Sequence, residues 1–286
     1  MSFRLKNRLF DYTLAFIVLI AVFVCLVPFL YILSQSLSSN RAIVSQAVTI
    51  YPIDFNIEAY KVVFGDHSMV YSLFYTVILT IVFALIALTV TILAAYPLTK
   101  KRLKGRSFLL LIMLFTMYFS GGLIPDYLNI KDLHLLNTPW SLILPGMMSV
   151  YYMIILKSFF QNLPDGLEEA AYLDGCNDLQ ILLKVVLPLS KPALATISLL
   201  YAVFRWNYFQ DALFYITDQD LYTIQLKLYN VINISQQMAG ENVNVNLPSE
   251  ALKAASIMFG TIPILLAYPW LQRYFVSGIM IGAVKG

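Results

Sequence analysis

Charged side chains are scarce in this sequence. Aspartate, glutamate, lysine and arginine make up 12% of 286 residues, about half the share found in soluble domains. Apolar residues make up 59%, and the mean hydropathy is +0.74. Together these exclude an ordinary water-soluble domain and point to the bilayer as solvent. Cysteine is as rare: Cys25 and Cys176 form no disulfide framework, and their placement in a span and in a loop argues against a bond between them. The two histidines, His67 and His134, fall in loops with no HExxH or paired-cysteine spacing, so a metal site has no support. No GxxxxGK[ST] phosphate loop occurs, so any nucleotide motor lies on another chain. There is no low-complexity tract, no short repeat and no segment with the composition of a soluble domain.

What is present is a series of long apolar runs. Six are expected to be spans: Phe10–Leu33, Tyr71–Pro97, Ser107–Ile124, Trp140–Phe160, Pro192–Thr217 and Ala255–Phe275. About 20 helical residues cross a hydrocarbon core, and helix lets each span satisfy its own backbone. The first run has the basic start of a signal peptide (Arg4, Lys6, Arg8), but it is longer than a signal core and no small-x-small cleavage site follows it. It is therefore read as span 1. Lysine and arginine set the expected orientation. The start carries three, the loop TKKRLKGR five (Lys100, Lys101, Arg102, Lys104, Arg106), and the loop from Lys157 to Lys191 adds Lys184 and its two end residues. The alternate loops hold few, which places both termini and the segment 161–191 in the cytoplasm.

That last segment concentrates the scarce acids: Asp165, Glu168, Glu169, Asp174 and Asp178. Asp165-Gly-Leu-Glu168 has the spacing of a capping box, and carboxylates suit a helix N-terminus. A short helix is expected to end near Asp174-Gly175, where glycine permits a left-handed turn. Asp178 is expected to cap a second helix, Leu179–Leu187, that Pro188 ends. Ser190-Lys191-Pro192 then opens span 5. Such a hairpin either covers its own bundle or offers a docking surface of Leu167, Ala170, Ala171 and Leu173 beside acids. Physics alone leaves both open.

The spacing Glu169-Ala170-Ala171, then Gly175, then Val185-x-Leu187-Pro188 resembles the EAA loop of ABC importer permeases. FTMYFSGGLIP, LNTPWSLILPG, WNYFQDALFYITD and the tail YFVSGIMIGAVKG resemble the carbohydrate importers of that family. They are most like the branch often labelled LplC or YtcP, which handles complex oligosaccharides and includes alginate importer permeases. The likeness runs from Phe10 to Gly286. It departs mildly at Cys176, where alanine is common, and at Val185, where isoleucine is usual.

The resemblance implies an all-α integral membrane protein with the type I importer permease fold, one permease domain over residues 1–286 in the bacterial plasma membrane. It implies a non-catalytic subunit with no cofactor of its own. ATP and magnesium would be held by two separate ATPase subunits. A second, usually unlike, permease chain and an extracellular or periplasmic sugar-binding protein would complete the assembly within membrane lipid, and no nucleic acid is involved. The loop 161–191 would carry the coupling helix, through Glu168, Glu169, Ala170, Ala171, Asp174, Gly175, Leu187 and Pro188. Glu169 would face the ATPase, the alanines would allow close approach, and Gly175 would make the corner. The tail Gly282–Gly286 would also touch it.

Span 5 holds the remaining polar cluster: Arg205, Trp206, Asn207, Tyr208, Gln210 and Asp211. Ionisable groups at membrane depth face a cavity or a partner, and amides and aromatics suit sugars. A charge-assisted bond from Arg205 would suit an acidic one. The same residues also fit helix–helix glue or an interface belt. In an unbroken helix Asn207, Gln210 and Asp211 share one face, and Arg205, Tyr208 and Phe209 another. Arg205 and Asp211 are then not a simple helical pair. Pro263 and Pro269 are expected to kink span 6, and SGG at 120–122 to make a turn. Rival readings are a permease for peptides, amino acids or anions, a membrane-embedded enzyme, and a purely structural or sensory subunit. The enzyme lacks a cluster of acid–base or nucleophilic residues.

Overall fold

The computed structural model describes residues 2–238 and 250–283, with side-chain surroundings described for 11–164, 166–233, 250–267 and 269. All described regular structure is helical. In chain order the helices are α1 (Ser2–Ser36), α2 (Asn40–Val44), α3 (Glu58–Gly65), α4 (His67–Ala95), α5 (Arg106–Tyr118), α6 (Leu123–Asp132), α7 (Trp140–Ile143), α8 (Val150–Gln161), α9 (Asp165–Leu173), α10 (Asp178–Ile181), α11 (Leu187–Leu189), α12 (Lys191–Asn207), α13 (Gln210–Tyr215), α14 (Ile224–Met238) and α15 (Glu250–Ala283). The chain divides into two compact units, one of Met1–Val70 with Lys227–Pro263, the other of Tyr71–Leu226 with Ile264–Gly286.

Among the described residues, three helical stretches are long and apolar enough to cross a membrane: Asp11–Ser36, His67–Thr99 and Glu250–Ala267. The other expected spans are interrupted. The third breaks between α5 and α6, which turn by 113° about Ser120-Gly121-Gly122. Gly122 has φ +89°, a backbone that L side chains rarely adopt. The fourth, expected to be continuous from Trp140 to Phe160, is helical only in α7 and α8. Leu144-Pro145-Gly146 separates them: proline biases its predecessor away from helix and supplies no N–H. The fifth breaks at Tyr208-Phe209, between α12 and α13. In the sixth, helical structure continues through Pro263 and Pro269. Val284–Gly286 and the side chains from Trp270 onward lie outside the described residues, and with them the end of the expected sixth span and the tail contact.

In the first unit Ala42, Ile43, Val48 and Ala251 form a small core, and Phe64 meets Phe259 edge to face. α1 stays outside it: none of its most apolar window is buried. Cys25 is free and exposed there, and Cys176 is free in the other unit.

The second unit holds the main core, in which Phe83, Leu142, Met153, Leu156, Ile181 and Ile197 are almost fully buried. Tyr201 of α12 sits inside it with 1% exposure. A buried phenol needs partners for its hydroxyl, and this one has two. It bonds the Thr91 hydroxyl of α4 at 2.7 Å and accepts from the Ser149 N–H at 2.9 Å. Ser149 is the N-cap of α8, and its own hydroxyl accepts from the Tyr152 N–H. Tyr201→Phe removes both bonds and keeps the ring. The expected cost is about 1–3 kcal/mol, measured as a lower Tm of the purified chain, at roughly 2–4 °C per kcal/mol.

Candidate functional site

The acid-rich segment folds as the expected hairpin, with its caps moved by one residue. α9 starts at Asp165 with Pro164 as N-cap, in the extended backbone favoured before a helix. Proline has no side-chain acceptor, so the expected Asp165–Glu168 capping box does not form, and Glu168 instead ion-pairs with Lys100. The helix closes where expected. Gly175 has φ +80°, its N–H donates to the Tyr172 carbonyl, and the Cys176 N–H donates to that of Ala171, both at 3.0 Å. This is the pair of bonds of a Schellman ending. The second helix is capped by Asn177, not Asp178. Asn177 and Gln180 exchange side-chain-to-backbone bonds in a capping box, and Asp178 is the first helical residue.

Pro188 does not end that helix. Residues Leu182–Val186 widen into a π turn, α11 carries on through Leu189, and Ser190 closes it. In a regular helix Pro188 would clash with the Lys184 carbonyl and leave it without a donor. The wider turn lets the chain pass the proline. Then α12 starts at Lys191 at 84° to the preceding helix, with Pro192 in its first turn.

α9 has two unlike faces. Glu168, Ala171 and Tyr172, at i, i+3 and i+4, face inward. Ala171 is in the core and Tyr172 bonds Arg102 and Asp178. Donation to Asp178 pushes the Tyr172 hydroxyl above its ordinary pKa, so it stays a donor. Glu169, Ala170 and Leu173 are exposed, Leu173 at 90%. Asp174 and Gly175 are exposed at the corner, Leu187 is half-buried and Pro188 exposed. The surface expected from Leu167, Ala170, Ala171 and Leu173 thus loses Ala171 to the core.

The polar cluster of span 5 is built around the break. In an unbroken helix Arg205 and Asp211 would diverge. Here the chain extends at Tyr208 (ψ 119°) and restarts at Gln210, which brings the two side chains together. The arginine makes a two-pronged ion pair with Asp211, one arm at 3.0 Å, with both side chains buried. It also donates to the Tyr208 carbonyl at 2.7 Å and to the Leu142 carbonyl at 2.9 Å. Both carbonyls lie next to interruptions of their helices, so one guanidinium serves two broken spans. The Asp211 carboxylate accepts in addition from the Ala212 N–H at 2.8 Å, in the first turn of α13. Trp206 is buried, whereas Asn207, Tyr208 and Gln210 are exposed. The six residues therefore split into a buried staple and an exposed edge. No glycine or proline marks this break, and an acid early in the following helix is its one sequence signal.

Beside the staple lies a cleft of about 540 Å³, between α6, the Leu144–Gly146 turn, α12 and α13. Asp126, Asn129, Tyr208 and Tyr215 give it polar edges, and Phe204 stacks on Tyr208 at 5.1 Å. Arg205, the one cation lining it, is already matched by Asp211. Asn137 ties the neighbouring loops: its side-chain oxygen accepts from the N–H groups of Thr217 and Asp218. Sequence reasoning passed over Asn137 and Tyr201. A phenol at mid-span was the available signal for the latter.

Residues 106–281 match the family described as binding-protein-dependent transport system inner membrane component. The chain belongs to this family. It is similar to the polygalacturonan/rhamnogalacturonan transport system permease protein YtcP of Bacillus subtilis (strain 168), 40% identical over 99% of this chain and all of that one. Protein LplC of the same organism is 41% identical, over 92% of this chain and 90% of its own length. A solved chain from a bacterial ABC transporter involved in the import of the acidic polysaccharide alginate superposes with TM-score 0.83. It is 36% identical and covers 94% of this chain and 98% of its own. The family match takes in the acidic hairpin, the staple and the cleft, so both candidate regions belong to a transport component of the inner membrane.

The staple makes a stability prediction for this permease. Asp211→Ala strands a buried guanidinium, which costs about 3–5 kcal/mol. The variant is expected to show a strongly lowered Tm in detergent. Asn207→Ala, at the exposed edge, is expected to shift it by less than about 1 kcal/mol.

Proposed function

We propose that this chain is the permease subunit of an ABC importer that moves oligosaccharides across the bacterial plasma membrane by alternating access. The two units act as one permease domain of six crossings, three of them interrupted, with both termini in the cytoplasm. ATP hydrolysis takes place on two separate ATPase subunits, and a second permease chain and an external sugar-binding protein complete the machine.

The observation that carries the reading is α9: a short helix with one face locked into its own unit and the other bare, closed by a glycine corner, in a chain of this family. Its outer face of Glu169, Ala170 and Leu173, with Asp174 and Gly175 at the corner, meets the ATPase. Leu187 and Pro188 shape the return to span 5. Glu168, turned inward to Lys100, supports that helix without touching the motor. On the opposite side of the membrane Asn207, Tyr208 and Gln210 edge the pathway, and the 540 Å³ cleft is of a size that holds a small ligand. Arg205 and Asp211 support that edge, and because Arg205 is neutralised this surface favours hydroxyl groups and sugar faces over carboxylates. The names of the relatives support a plant or algal cell-wall oligosaccharide as cargo.

Two measurements test this. Tagged chain extracted from native membranes should bring with it a second permease, an ATPase and a sugar-binding protein, identified by mass spectrometry. Recovery of the chain alone would refute the importer. Gly175→Asp places a side chain in a left-handed backbone, at roughly 1–2 kcal/mol, and a charge beside the docking face. Uptake is expected to fall at least about tenfold with the amount of chain in the membrane unchanged, and normal uptake would remove α9 from the coupling path.

A further inference from the structure

The loop Lys100–Arg106 enters the sequence reading only as a mark of orientation, and the geometry gives part of it a second role. Lys100 pairs with Glu168 of α9, and its ammonium lies 4.4 Å from the Tyr96 ring centroid, at the end of the segment that leaves α4. Arg102, two residues on, donates to the Tyr172 hydroxyl at 3.0 Å and to both carboxylate oxygens of Asp178, and lies 5.5 Å from the Tyr172 ring centroid. Tyr172 donates to the same carboxylate. Ala171, between the two gripped residues, packs into the core, and Leu98 on the other strand of the contact is buried too.

Taken singly, the Arg102–Asp178 pair is too exposed to matter much, with side chains 61% and 53% open to solvent. Lys100–Glu168 is more enclosed, at 14% and 26%. The register matters more than either pair. Two basic residues at i and i+2 grip α9 at i and i+4 and reach α10 beyond the glycine corner, so α9 can neither roll nor tilt without breaking contacts to the end of α4.

We infer that Lys100 and Arg102 are positioning residues for energy coupling: they tie the inner face of α9 to the end of α4, so that force on the bare outer face moves the span and does not merely tilt α9. The inference rests on the proposed function, in which that outer face meets an ATPase.

The test uses the complete complex in nanodiscs, with Cys25 and Cys176 replaced by serine and Gln210→Cys as reporter at the pathway edge. The rate of alkylation at 210 is read with and without ATP plus vanadate. In the otherwise unaltered chain, and in a Lys104→Ala control, nucleotide is expected to change the rate by about fivefold or more. In Lys100→Ala/Arg102→Ala the ATPase stays bound and traps vanadate normally, but the rate changes less than about twofold. Lys100→Glu with Glu168→Lys restores the response that Lys100→Glu alone removes.

A full response in the double alanine variant overturns the clamp. Loss of the ATPase from that variant also overturns it, because the residues then maintain the docking face itself. Failure of the charge exchange to restore the response counts against the pairing. A parent chain that binds no ATPase would instead refute the proposed function, and the clamp with it.

Discussion

The structure depends on how backbone polar groups are satisfied where helices stop inside an apolar protein. A carbonyl released from a helix has no water to turn to in hydrocarbon, and leaving it bare costs several kcal/mol. Three of the expected spans are interrupted, so the second unit faces this problem repeatedly. Arg205 answers it twice with one group, donating to the Leu142 and Tyr208 carbonyls while Asp211 balances its charge. Tyr201 performs a related task at Ser149, where α8 resumes. Both residues belong to α12, which thus acts as the spine to which the broken elements are fastened.

The fastening shows why a charged pair is tolerated at such depth. A buried ion pair gains little over apolar packing when it stands alone. Here both partners also bind backbone: the guanidinium two carbonyls, the carboxylate an N–H of α13. The pair holds a break open in a defined shape, and the break turns Asn207, Tyr208 and Gln210 out to the cleft side while Trp206 stays buried.

The sequence revealed the two regions more clearly than their internal geometry. Apolar length located the helices, and the rarity of acids singled out the hairpin. Gly175 and the SGG turn were legible because only glycine suits their positive φ. The caps were misplaced because Asp165 and Asp178 are good capping residues that lie one position inside helices begun by Pro164 and Asn177. Pro188 was expected to stop a helix that absorbs it in a π turn. The break at Tyr208 could not be read from local preference. Tertiary bonds from Arg205 maintain it, and a periodicity argument that assumes a continuous helix separates the very residues that meet. The fourth span was overread for the opposite reason: Pro145-Gly146 was visible, but the surrounding apolar length outweighed it.

The two faces of α9 answer to different authorities. Residue 168 is matched to residue 100, and residue 172 to residues 102 and 178, all within one polypeptide. Residues 169, 170 and 173 have no such match inside their own unit and stand open. Change on the inner face must therefore be compensated within the same gene, whereas change on the outer face is free to follow another protein. Across descendants of this chain, a nine-residue helix should carry two independent patterns of covariation, interleaved at the period of a helical turn and separable by sequence comparison alone.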